Sequence, residues 1–129
     1  MNWLEREVHP LGPHLILCLS QSEFSEVLAH LKADPSPWLN PNASATTHHY
    51  TNTDGRSACI VCVGSVDGRT APQINALLVH EAVHVWQEHR RVIGEHAPSS
   101  EMEAYGIQYI AETLMTEYAR RQQDVPAAD

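Results

Sequence analysis

Positive charge is scarce in this chain, and nowhere does it gather into a run. Lysine and arginine number 8 against 16 aspartates and glutamates, for a formal net charge of −8. A surface of that sign repels phosphate backbones and anionic lipid, so neither nucleic acid nor a membrane is an expected partner. Long apolar stretches are missing as well: no segment approaches the roughly 18 consecutive apolar residues of a membrane-spanning helix. Leu15-Ile16-Leu17-Cys18-Leu19 is too short for the core of a secretion signal. The opening Met1-Asn2-Trp3-Leu4-Glu5-Arg6-Glu7 carries acid where such a signal carries positive charge. The three cysteines, an odd number, fit a reducing compartment better than a disulfide scaffold. These absences predict a cytoplasmic protein. Aromatic residues make up only 6%, which leaves no clear specificity pocket to read from composition.

What remains is an ordinary globular composition, 43% hydrophobic and 19% charged over 129 residues. That length predicts one domain, 1–129, large enough to bury a core, with an N-terminal arm over 1–13 and a frayed tail over 124–129. His14 to Leu19 reads as a buried strand. Ser20 and Glu23 fit a capping box, and Phe24, Val27, Leu28 and Leu31 follow at helical spacing, predicting a helix from Ser22 to Lys32. Prolines and asparagines make Asp34 to Ala45 a loop, in which Trp38 is expected to act as a packing plug, the alternative being a substrate-contacting aromatic. Thr46 to Thr53 and Arg56 to Gly64 read as a hairpin turning at Asp54-Gly55. Its second strand is apolar on both faces and therefore central. Cys59-x-x-Cys62 falls in that strand, where positions three apart point to opposite faces, so the two thiols are expected in the core and not on one metal. Thr70 and Pro72 suit the start of a helix running from Ala71 to Arg91 and ending near Gly94. A last helix is expected from Ser99 or Ser100 to Gln122, with Ala104, Ile107, Ala111, Leu114 and Tyr118 as its core stripe. The class is α+β: a small antiparallel or mixed sheet of about three strands packed on three helices.

The stretch that carries chemistry is Leu77-Leu78-Val79-His80-Glu81-Ala82-Val83-His84-Val85-Trp86. Residues i and i+4 stack on one helix face, so His80 and His84 can aim nitrogens at one ion. Glu81 is turned about 100° from His80, beside the open position, where it can take a proton from bound water. Two unpaired imidazoles and a carboxylate would otherwise be costly inside so apolar a helix. A catalytic zinc site takes three protein ligands. A continuation His-x-x-Gly-x-x-His is excluded, since Gln87 and Arg90 stand at its last two positions. His89 faces away by about 140°, and His96 has no spacing in its favour.

With Glu101-Met102-Glu103-Ala104-Tyr105 downstream, the chain resembles the gluzincins, zinc metallopeptidases whose third ligand is a glutamate on a later helix. It is also similar to small metallopeptidases encoded by phages and prophages. The likeness covers residues 71 to 110 and rests on His80-Glu81-x-x-His84 and Glu101-x-x-Ala104. It implies a minimal zincin-like domain that binds Zn²⁺ through His80, His84 and Glu101 and hydrolyses peptide or protein substrates with Glu81 as general base. Glu103 competes with Glu101, and periodicity does not choose between them. A capping box Ser100-x-x-Glu103 would give Glu103 another occupation. Tyr105 replaces the aspartate common in that family, so Tyr105 or Gln108 is expected to orient a ligand histidine. For the developing oxyanion, Tyr105, Tyr109, His48, His49 and Tyr50 are candidates that spacing does not separate; Tyr105 is named with Glu81 as catalytic. A partner protein completing the cleft is a further expectation. The alternative reading is an inactive, zinc-stapled assembly or interaction protein.

Overall fold

The computed structural model describes residues 14–51 and 57–123. The expected N-terminal arm, the Asp54-Gly55 turn and the C-terminal tail lie outside them. Six elements follow in order: β1 (His14–Cys18), α1 (Gln21–His30), β2 (Ala45–Thr51), β3 (Ser57–Val63), α2 (Ala71–Val92) and α3 (Ser100–Gln123). The strands form one mixed sheet in the order β1-β3-β2, with β1 parallel and β2 antiparallel to β3. The class is α+β, as expected, and the parallel β1–β3 pair settles the sheet as mixed.

β3 sits at the centre because both of its faces are covered. Cys59, Val61 and Val63 join the cluster with Leu78, Ala82, Val85 and Trp86 of α2 and Ile110, Ala111 and Leu114 of α3. Ala58, Ile60 and Cys62 join Phe24, Val27 and Leu28 of α1. A strand buried on both sides cannot alternate apolar with polar, which is why its sequence reads as one apolar run. Cys59 and Cys62 therefore lie in separate cores on opposite faces of the sheet.

Local signals set the helix ends. Ser20 caps α1 by accepting from the Glu23 backbone N–H at 3.1 Å. The returning bond of a capping box goes one residue early, with Leu19 N–H donating to the Glu23 carboxylate at 3.4 Å. α2 has both halves of the box between Thr70 and Gln73, with proline in its first turn. It ends where Gly94 takes φ +79, a left-handed conformation that glycine adopts without strain.

α3 is fixed at two places. Near its start, a Cβ on Gly106 would meet the Trp86 ring at 2.5 Å, so only glycine permits this approach of α3 to α2. Near its end, Arg121 donates to Glu23 of α1 at 2.8 Å, to the Leu17 carbonyl of β1 at 3.0 Å and to Glu117 at 3.0 Å. Arg120 beside it, then Arg121, hold the Glu117 carboxyl below its usual range. No helix among the described residues is long and apolar enough to cross a membrane.

Candidate metal centre

α2 buries Leu78, Ala82 and Val85 against β3 and leaves His80 and His84 on an exposed flank. Glu81 lies at the border of these two surfaces and is only 3% exposed. Nε2 of His80 and Nε2 of His84 are 3.3 Å apart, and their rings meet edge-on at a centroid separation of 5.0 Å. One carboxylate oxygen of Glu81 and one nitrogen from each imidazole all fall within 4.8 Å of one another, a group that could hold a metal ion. Gln87, one turn on from His84, places Oε1 3.2 Å from His84 Nδ1. An amide oxygen can only accept, so Nδ1 carries the ring proton and Nε2 presents its lone pair toward His80.

The edge strand β2 supplies the opposite wall. Its side chains alternate between faces. Thr46, His48 and Tyr50 turn toward α1: His48 stacks on Phe24 at 4.5 Å, and its Nε2 donates to the Trp38 carbonyl at 2.8 Å. Trp38 itself packs against the α1-side core, on the sheet face away from His80 and His84, which is the expected plug. Thr47 and His49 turn toward α2. Thr47 Oγ1 donates to Glu81 Oε2 at 2.8 Å, and His49 Nδ1 lies 3.2 Å from Cys59 Sγ. Burial foremost pushes the His49 pKa down; Glu88 pulls it up, and His84 adds to the lowering. Burial also raises the Cys59 thiol to about 12, so it stays protonated at neutral pH and can donate to Nδ1.

Of the other residues the sequence marked, Glu101 is exposed in the first turn of α3 and is not part of the donor cluster. Glu103 is also outside it, but for a different reason from the expected capping box. Ser99, not Ser100, caps α3, accepting from Met102 N–H at 3.2 Å while its carbonyl takes the first helical bond from Glu103 N–H. The Glu103 carboxylate instead accepts from Trp86 Nε1 at 3.1 Å. Tyr105 is 66% exposed. His89 is buried beside Trp86, ring centroids 6.0 Å apart. His96 is exposed, and its carbonyl accepts from Arg90. Sequence reasoning missed Thr47 and Gln87; Gln87 had a signal, the i,i+3 spacing from His84, and Thr47 had none.

Cys18, Cys59 and Cys62 are all free and buried. The Cys62 thiol is driven far up by its contact with Cys18 and by burial. A thiol reagent attacks only thiolate that it can reach. Native protein at pH 8 is therefore expected to leave these three cysteines unmodified by an aromatic disulfide reagent, and all three are expected to react once urea unfolds the chain. Rapid labelling of folded protein would contradict the burial. Comparison of the chain with protein-family models, with curated proteins and with solved structures gives no match.

Proposed function

We propose that the chain is a zinc-dependent peptidase in which His80, His84 and Glu101 hold the ion and Glu81 is the general base. The observation that supports this most is the 3.3 Å between the two Nε2 atoms. Two nitrogens bound to one tetrahedral Zn²⁺ at about 2.0–2.1 Å are themselves about 3.3 Å apart, so the imidazoles already stand at the spacing such an ion requires. Glu103 is engaged with the Trp86 indole, and Trp86 lies about 200° round α2 from His84. A carboxylate held there is turned from the imidazoles, which favours Glu101 as the third protein ligand.

A bound Zn²⁺ would supply an acidified water and polarise the scissile carbonyl. Glu81 accepts the proton released in attack and passes it to the leaving amine. Its low exposure keeps that proton from bulk water. The oxyanion needs a donor. His49, which turns from β2 toward α2 beside Cys59, is one candidate, and Tyr105 of α3 is the other. No described strand pairs with the outer edge of β2, so an extended peptide can add there by main-chain hydrogen bonds.

The test is metal-free protein reloaded with Zn²⁺ and offered a library of fluorescence-quenched peptides. The expected results are uptake of a single ion, lost in His80→Ala and His84→Ala, and cleavage that stops with chelator and returns with Zn²⁺. At roughly 100 times its Kd the ion should add about 2.7 kcal/mol to folding stability. Uptake and stabilisation with no peptide cleaved would leave a structural staple and sink the peptidase.

A further inference from the structure

We infer that Thr47 is a positioning residue: it holds the Glu81 carboxylate toward the sheet and so keeps Glu81 a proton acceptor and not a ligand of the ion. The inference rests on the peptidase reading above. Its starting point is a difficulty in the site. One Glu81 oxygen lies within 4.8 Å of donor nitrogens of both imidazoles, close enough that a carboxylate free to turn would join them on a cation. The last torsion of a glutamate is soft and broad, so α2 alone does not choose between the two roles.

The restraint comes from β2. Thr47 Oγ1 donates to Glu81 Oε2 at 2.8 Å across a separation of 34 residues. Threonine is stiff at χ1 because it is branched at Cβ. Its backbone is also held in register, with Thr47 opposite Val61 of the central strand, and Val61 is wholly buried. The hydroxyl therefore stands at a point set by the sheet. Binding Oε2 there directs the carboxylate plane and leaves Oε1 as the oxygen free to take a proton. A purely structural strut between helix and sheet would also use this bond, but it would give no reason for metal affinity and turnover to change in opposite directions.

That opposition is the test. Thr47→Val keeps the shape and removes the hydroxyl, and Thr47→Ser keeps the hydroxyl. Each is measured for Zn²⁺ affinity against a chromophoric chelator, for the visible absorption of its Co²⁺ form, and for kcat and KM on the quenched peptides. Thr47→Val is expected to bind Zn²⁺ several-fold more tightly, to show an altered Co²⁺ spectrum, and to lose roughly 10–100-fold in kcat with KM unchanged. Thr47→Ser is expected to recover most of each property. If Thr47→Val does not fold, Thr47→Ala takes its place as the variant without a hydroxyl. A hydroxyl-free variant with the wild-type Co²⁺ spectrum and Zn²⁺ affinity overturns the inference, even if it is less stable to heat. Wild-type protein that takes up Co²⁺ but cleaves no peptide overturns the peptidase reading instead, and the affinities and spectra still judge Thr47.

Discussion

Glu81→Gln protein is expected to take up Zn²⁺ as the wild type does and to cleave peptides roughly 10²–10⁴-fold more slowly, the usual contribution of a positioned general base. Glutamine has the shape of glutamate and keeps an amide oxygen to accept from Thr47, so the packing of a side chain only 3% exposed is preserved. What it loses is the ability to take a proton. Paired measurements of bound zinc and of kcat separate this role from the competing one. If Glu81 served as the third ligand, the substitution would weaken Zn²⁺ binding; if it served only to brace α2 against β2, the rate would hardly change. Retained metal with collapsed turnover is the outcome only a base produces.

The second large effect concerns the two glutamates of α3. Glu101→Gln is expected to weaken Zn²⁺ binding by more than the roughly 10–100-fold that losing a mere supporting hydrogen bond costs. Glu103→Gln is expected to leave affinity unchanged. The asymmetry follows from what each carboxylate does. Glu103 accepts from Trp86 Nε1 at 3.1 Å, a bond that a glutamine oxygen can also accept, and the close approach of Gly106 to the Trp86 ring keeps it there. Glu101, in the first turn of α3, has no such tie to α2. Chelator competition on the two proteins decides: a loss confined to Glu103→Gln would move the ligand two residues along the helix and refute Glu101.

Features set by neighbouring residues were legible in the sequence. Ser20 and Thr70 each cap the helix they precede, because a cap needs only the next three residues. The period of two in β3 by itself places Cys59 and Cys62 on opposite faces, since alternation is a property of the strand. The motif's cluster of His80, Glu81 and His84 was likewise local, confined to one helix. Features that join distant segments were not legible. Nothing near Thr47 announces a bond to a residue 34 positions away, and the parallel pairing of β1 with β3 depends on where α1 returns the chain. The start of α3 reads as Ser99 or Ser100 in the sequence, with a capping box available only from Ser100; the cap falls at Ser99, because two serines adjoin and only geometry chooses between them. The role of Glu103 moved with it, from a cap to a clamp on Trp86.

The most direct test of the metal centre is the zinc K-edge X-ray absorption spectrum of the loaded protein. The account predicts a four-coordinate shell of nitrogen and oxygen at about 2.0–2.2 Å, with the multiple-scattering signature of two imidazoles and no sulfur. In Glu101→Gln the oxygen component should change while both imidazoles remain. A sulfur shell at about 2.3 Å, fewer than two imidazoles, or a wild-type protein that binds no zinc would contradict it.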